Sequence, residues 1–137
     1  MKNKLLVLVL LFCLTFLGCP QHKEPMIEAQ EALSTHKELL ESAKSESLAS
    51  QIVQFESRLA KATPFLERTD LPKELTPAQE SLQKAHNAWR SAITKIEKIP
   101  KASDEEKANL QSEISSYMRT AETNVEEAER IIEKLKK

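Results

Sequence analysis

The side chains that could bind a metal or catalyse a reaction are few and widely spaced. Three histidines are present, His22, His36 and His86. None belongs to a Glu-x-x-His or His-Glu-x-x-His pattern, in which neighbouring helix turns present metal ligands on one face. His36 and His86 lie beside apolar residues with helical spacing, so we interpret them as residues on the flanks of helices. We therefore predict no metal site and no cofactor.

Acidic side chains are abundant, but their pattern is typical of a solvated surface. The chain has 21 Asp and Glu residues against 20 Lys and Arg residues, a net charge of −1. The two signs alternate at helical neighbour spacing, as in Glu133 and Lys137. A catalytic pair of carboxylates needs a concave, partly dry pocket, which this pattern does not indicate. We predict a non-catalytic protein, and the mixed charges form no basic patch for nucleic acid.

Both cysteines, Cys13 and Cys19, lie near the N-terminus. The chain begins with the basic stretch "MKNK" and continues with the apolar run "LLVLVLLFCLTFL" over residues 5–17. A basic start followed by a short apolar run is typical of a secretory signal. As a helix the run would reach about 20 Å, less than the roughly 30 Å hydrocarbon core of a membrane. We expect it to be removed together with Cys13, which leaves no cysteine pair for a disulfide.

The stretch "LTFLGCP", residues 14–20, resembles the lipobox of bacterial lipoproteins. Gly18 and Cys19 match that motif, whereas Phe16 and Leu17 depart from it. The resemblance implies that residues 1–18 are a signal peptide and that Cys19 carries diacylglycerol and an amide-linked acyl chain such as palmitate. Two or three acyl chains hold a protein firmly on a membrane. The implied location is the bacterial envelope, on the outer membrane or on the outer face of the cytoplasmic membrane.

The composition after Cys19 predicts an all-α fold. Gly18 is the single glycine of the chain, and aromatic residues make up 4 %. Tight hairpin turns favour glycine, whereas a chain rich in Ala, Glu, Lys, Leu and Gln is typical of long amphipathic helices. We expect a short linker over residues 19–25 and one helical domain over residues 26–137.

Capping motifs predict where two of the helices begin. Thr76 would cap a helix that starts with Pro77, with Gln79 reaching back to the cap. Ser103 and Glu106 repeat this arrangement. The motifs and the apolar spacing predict helices over 77–98 and 104–135.

The apolar stripes predict how the helices pack. Two stripes fall upstream of residue 70 and are out of phase with each other: Met26, Ala29, Leu33 and Leu40, then Leu48, Ile52, Phe55, Leu59, Ala62 and Leu66. Since no Gly, Pro, Asn or Asp separates them, we favour one long, bent helix over 26–68 and an antiparallel, coiled-coil-like three-helix bundle. A break near residues 45–47 would give a four-helix bundle instead. A longer helix that overhangs a shorter one could also recruit a second copy of the chain.

Two local resemblances suggest alternative functions. "LQKAHNAWRSA" is similar to the Leu-x-x-Ala-x-x-Ala-Trp helix of periplasmic lysozyme-inhibitor-type proteins, although Trp89 occupies the middle of a regular stripe and is expected in the core. "EKLKK" is similar to the end of the small murein lipoprotein, whose terminal lysine is joined to peptidoglycan, which would make Lys137 a tether. Neither resemblance extends beyond these short stretches.

The sequence as a whole favours a lipid-anchored helical bundle that binds or scaffolds another protein. Only the six residues "PQHKEP" separate Cys19 from the first predicted helix, a reach of about 20 Å. We therefore expect a membrane-proximal protein partner. Ile27, Leu39 and Val53 lie outside the main stripes, and we predict that they form the contact surface; the alternative is that they are scattered exposed residues or part of the core of a fourth helix.

Overall fold

The computed structural model describes residues 23–45 and 52–137, and these residues form an all-α bundle. Within these ranges the chain forms four α-helices and no strand. The helices are α1 (Pro25–Ser45), α2 (Ile52–Leu66), α3 (Thr76–Ile96) and α4 (Asp104–Leu135), and a 3-10 turn, Ile99–Lys101, lies between α3 and α4. The predicted all-α fold class is confirmed.

The predicted long helix over 26–68 is wrong, because α1 and α2 are separate and antiparallel. Near the end of α1, Ser42 Oγ accepts a hydrogen bond of 2.6 Å from Arg58 of α2. Near the start of α1, Glu28 binds Arg68, which follows α2, at 2.7 Å. The four-helix alternative is therefore correct and the three-helix bundle is not. The physical reason is the phase change between the upstream stripes: two helices can bury both stripes, whereas one continuous helix would expose one of them.

The four helices pack as two antiparallel hairpins. The most extensive contacts are within the second hairpin, α3 with α4, followed by those within the first hairpin, α1 with α2. Ion pairs from Lys37 to Glu129 and from Lys44 to Glu122 join α1 to α4, so these two helices also run antiparallel. α1 and α2 both contact α3 as well. The first turn of α1 and the last turn of α4 therefore lie at the same end of the bundle, which we call the base.

The hydrophobic core lies between the two hairpins. Its largest fully buried apolar side chains come from all four helices: Leu39, Phe55, Phe65, Leu82, Trp89, Val125 and Ile132. Small residues on α1 and α3, such as Ala29, Ala32 and Ala85, are also fully buried and allow the helices to approach closely. Burial of each large apolar side chain contributes about 1.5–3 kcal/mol. These contacts are the main source of stability within the described part of the chain.

The start of α4 confirms the predicted capping box. The Glu106 N–H donates to Ser103 Oγ at 3.3 Å, and the Ser103 N–H donates to Glu106 Oε2 at 2.8 Å. The backbone hydrogen bond from Ser103 lowers the pKa of Glu106. Because both partners are local in sequence, the motif fixes the first residue of α4, as expected.

The start of α3 differs from the prediction. Leu75 is the N-cap residue and makes no side-chain capping bond, whereas Thr76 is the first residue of the helix. Gln79 does not reach back to Thr76; its amide nitrogen instead donates to the carbonyl oxygens of Phe65 and Arg68, both at 2.8 Å. A tertiary contact to the end of α2 thus replaces the expected local one.

Arg68 closes the base of the bundle. Its guanidinium donates to the Glu28 carboxylate at 2.7 Å, to the Lys23 carbonyl at 2.9 Å and to the Asp70 carboxylate at 2.7 Å. Hydrogen bonds from the guanidinium to Asp70 and Glu28 raise the pKa of Arg68. One side chain therefore joins the first residues of α1 to the segment that links α2 and α3.

The second hairpin extends beyond the first at the end opposite the base. α4 has 32 residues and α1 has 21, which correspond to lengths of about 48 Å and 32 Å. Ala92, Ile96 and Ile114 are buried towards this end of the second hairpin but do not belong to the main core. Lys95 of α3 forms an ion pair with Glu113 of α4 there. Buried apolar residues and an ion pair therefore occur on α3 and α4 towards this end.

Candidate functional site

The residues linked by the sequence to attachment of the protein to a membrane or to peptidoglycan lie at or beyond the limits of the described chain. Cys13 and Cys19 lie outside the described residues, so their predicted roles remain predictions. Lys137 is exposed and follows the end of α4 at the base. No helix in the described ranges is both long and apolar enough to cross a membrane.

The three residues predicted to contact a partner do not share one surface. Leu39 has no exposed surface and belongs to the core, so its predicted role in a contact is wrong. Ile27 is 45 % exposed and Val53 is 78 % exposed. Ile27 lies in the first turn of α1 at the base, whereas Val53 lies in the first turn of α2 at the opposite end of the first hairpin. The prediction assumed one continuous helix, and the reversal between α1 and α2 separates the two exposed residues by roughly 30 Å along the bundle.

Trp89 is a core residue, as the stripe predicted. Its side chain is 1 % exposed, and its ring packs against Phe55 of α2 with centroids 5.6 Å apart. The indole nitrogen has no hydrogen-bond partner among the described residues. Trp89 therefore joins the two hairpins and does not present its ring on the surface.

The histidines on α1 and α3 are buried, so the prediction that they flank their helices is wrong. His36 has no exposed surface and His86 is 8 % exposed. Their ring centroids lie 6.0 Å apart. Since α1 belongs to the first hairpin and α3 to the second, this pair contacts across the interface between the hairpins. We take the His36–His86 pair as the candidate functional site.

The hydrogen bond of His36 fixes its tautomer. Its Nδ1 lies 2.8 Å from the Ala32 carbonyl oxygen. Because a carbonyl oxygen only accepts, Nδ1 carries the hydrogen and Nε2 of the neutral ring keeps its lone pair. Nε2 is buried and has no partner among the described residues. Burial lowers the pKa of His36 to about 4, and the nearby His86 also lowers it, while the hydrogen bond to Ala32 acts in the opposite direction.

His86 lies at the edge of the same interface. Its Nδ1 is buried without a partner among the described residues. The ring also lines a groove of about 280 Å³ between α2 and α3, together with Glu56, Thr63 and Arg90. Burial lowers the pKa of His86, and the positive charge of Arg90 lowers it further. Both rings of the pair are therefore held neutral near pH 7.

The described part of the chain does not assemble the pair into a larger set of metal ligands. No group of three or more His, Cys, Asp or Glu residues that could hold a metal ion occurs within it. Other depressions are open and lined by charged side chains, such as one of about 530 Å³ beside Lys98, Lys101 and Glu106 at the far end of the second hairpin. The pair differs from these depressions because His36 Nε2 and His86 Nδ1 are buried nitrogen atoms that can bind a proton and that have no hydrogen-bond partner among the described residues.

The sequence contains a signal for the burial of these histidines, which the apolar pattern alone missed. Leu33 and Leu40 of the α1 stripe are seven positions apart, and His36 between them gives the three-then-four spacing of a buried helix face. His86 likewise lies three residues before Trp89. Each position faces the core, but only the packing of α1 against α3 shows that the two rings meet.

Comparisons of the whole chain with protein-family models, with curated proteins and with solved structures find no match.

Proposed function

We propose that this protein is a lipid-anchored helical bundle of the bacterial envelope that acts as a non-catalytic binding or scaffolding module. The observation that carries the proposal is the "LTFLGCP" stretch, in which Cys19 follows an apolar run and precedes a polar linker. Acyl chains on Cys19 would hold the protein on a membrane. The bundle would then be the part that meets a partner.

The position of α1 supports an orientation for the anchored bundle. Cys19 precedes the start of α1 by six residues, a reach of about 20 Å. The base of the bundle contains the start of α1 and the end of α4, and the second hairpin extends away from it. With lipid on Cys19, the base would therefore face the membrane and the extension of the second hairpin would project into the envelope.

The alternative functions receive less support from the fold. Trp89, on which the similarity to lysozyme-inhibitor-type proteins depends, is buried. Lys137 is exposed but lies at the base, where Lys136 and Gln30 of α1 line the same groove. A tether to peptidoglycan would then start from the membrane-facing end of the bundle. A membrane-proximal protein partner is the simpler proposal, and a second copy of the chain is one such partner.

Metabolic labelling in a bacterial host tests the anchor. Radiolabelled palmitate should enter the wild-type protein and the Cys13→Ser variant, because Cys13 lies in the segment expected to be removed. The Cys19→Ser variant should remain unlabelled and accumulate as a larger precursor. Equal labelling of the two variants, or an unlabelled wild type that washes off membranes, would contradict the proposal.

Cross-linking of intact membranes followed by capture of the protein tests the second half of the proposal. One enriched envelope protein, or a second copy of the chain, would support a binding or scaffolding role. Muropeptides attached to Lys137 would instead support the tether, and inhibition of lysozyme by the purified bundle would support the inhibitor.

A further inference from the structure

The His36–His86 pair lies at a point where a change of charge acts on the interface between the two hairpins. Each ring belongs to a different hairpin, and the centroids are 6.0 Å apart. The two helices of each hairpin share a more extensive contact than any one pair of helices from different hairpins does. Separation of the hairpins would therefore break several smaller helix contacts and leave the largest contact of each hairpin in place.

Protonation would place uncompensated charge in this interface. The hydrogen on Nδ1 of His36 is already donated to Ala32, so the added proton must go to Nε2, which is buried without an acceptor. An imidazolium at His86 would likewise carry an N–H at Nδ1, which is buried without a partner. A buried charged donor without an acceptor is strongly unfavourable, and two such charges also repel each other.

Neighbouring positive charge adds to this cost, and the acidic side chains on α2 and α4 lie beside basic ones. On α3, Arg90 opposes protonation of His86, and His86 opposes protonation of the ring on α1. On α2, Glu56 lines the groove beside His86 together with Arg90. On α4, Glu129 is engaged in an ion pair with Lys37 of α1. Separation of the hairpins would allow water to solvate both rings and would remove their mutual repulsion.

We propose that the His36–His86 pair is a pH-sensitive switch, in which protonation of both rings separates the α1–α2 hairpin from the α3–α4 hairpin while each hairpin stays helical. Each imidazole binds a proton more tightly when the hairpins are separated than when they are packed together. For each such ring, the ratio of separated to packed molecules rises by up to about tenfold for every pH unit of acidification. Acid would thereby expose the apolar surface around Phe55 and Trp89, which is covered at neutral pH.

Two ion pairs allow the separation to be measured directly. Lys44 and Glu122 join the two hairpins, whereas Lys95 and Glu113 join helices of the same hairpin. A carbodiimide converts such pairs into amide cross-links with no added length, which mass spectrometry can quantify after proteolysis. The pKa values of both lysines are raised, first of all by the hydrogen bond to the paired glutamate. A change of pH should therefore alter the reactivity of the two pairs towards the carbodiimide to a similar extent. Their ratio therefore reports the separation of the hairpins.

The experiment uses the full-length protein in detergent at pH 7 and at pH 4.5. We expect the ratio of the 44–122 cross-link to the 95–113 cross-link to fall at least fivefold in acid, with little change in the far-ultraviolet circular dichroism of the helices. The His36→Leu/His86→Leu variant should keep the ratio within about twofold. If that variant does not fold, His86→Gln alone should retain only part of the fall. An unchanged wild-type ratio, an equal fall in the variants, or the loss of both cross-links together with helicity would overturn the proposal.

Discussion

His36 of α1 and His86 of α3 lie with their ring centroids 6.0 Å apart inside the interface between the two hairpins. Because burial lowers both pKa values, the unfolded chain binds more protons than the folded one when the pH falls below 6.5. Above pH 6.5 both rings are neutral in the folded and the unfolded chain, so they do not reduce the free energy of unfolding. This reduction grows as the pH falls from 6.5 towards about 4, the pKa of His36 in the folded protein. The free energy of unfolding should therefore decrease with acidity in this window.

The size of this effect can be measured by urea denaturation at pH 7 and pH 4.5. For His36 the lowering of the pKa from 6.5 to about 4 corresponds to a loss of about 2 kcal/mol between pH 7 and pH 4.5. The His36→Leu variant should lose correspondingly less stability between the two pH values. Ser81→Ala, at another buried polar position in α3 that does not titrate, should change stability equally at both. A wild type and a His36→Leu variant with the same pH dependence would show that His36 titrates normally.

Trp89 gives a prediction about the core itself. Trp89→Ala should destabilise the protein by about 3–5 kcal/mol, because it removes a ring that is 1 % exposed and packed against Phe55. Val53→Ala, at a residue that is 78 % exposed, should change stability by less than about 0.5 kcal/mol. Thermal and urea denaturation of the two variants would measure the difference. Similar losses for both would mean that Trp89 is not a core anchor.

The amide of Gln79 should stabilise the junction of α2 and α3. It donates to the carbonyl oxygens of Phe65 and Leu66 in the last turn of α2 and of Arg68 just after it. The last carbonyl groups of a helix have no partner four residues further along the helix, so such a donor helps to satisfy them. Gln79→Glu replaces the donor with a carboxylate that faces these oxygens, and should cost about 1–3 kcal/mol. Gln83→Glu, one turn later on the same helix at an exposed hydrogen bond to Asn87, is the matched control and should be nearly neutral. Equal effects would argue against the observed contact.

The parts of the fold that sequence reasoning predicted are those determined by local contacts. The limits 104–135 of the last helix follow from the Ser103–Glu106 capping box and from a regular stripe, and the structure has the same limits. The sequence does not favour a break between α1 and α2, because the segment "SAKSESLAS" lacks Gly, Pro, Asn and Asp. The change of phase between the two apolar stripes is compatible with either a bend in one helix or a turn between two. The antiparallel packing of α1 and α2 shows that there are two helices.

The candidate site was less predictable, because it forms only when distant helices meet. His36 and His86 are 50 positions apart, and each has a helical spacing compatible with either a flank or a core face. The gap between Leu33 and Leu40 indicates that His36 faces inward, but no local pattern identifies the residue opposite it. The same limit applies to Gln79, whose expected local cap is replaced by the carbonyl oxygens at the end of α2.

The last prediction concerns the surface that meets a partner. If the base faces the membrane and the partner is membrane-proximal, Ile27 is better placed for the contact than Val53, since they lie at opposite ends of the first hairpin. Both are exposed apolar residues, so Ile27→Asp and Val53→Asp should each fold with little loss of stability. In cross-linked membranes, Ile27→Asp should reduce capture of the partner at least tenfold, because the charge would be buried in the contact. Val53→Asp should leave capture unchanged. Loss of capture in Val53→Asp alone would place the partner at the opposite end of the bundle, and unchanged capture in both variants would remove these residues from the contact.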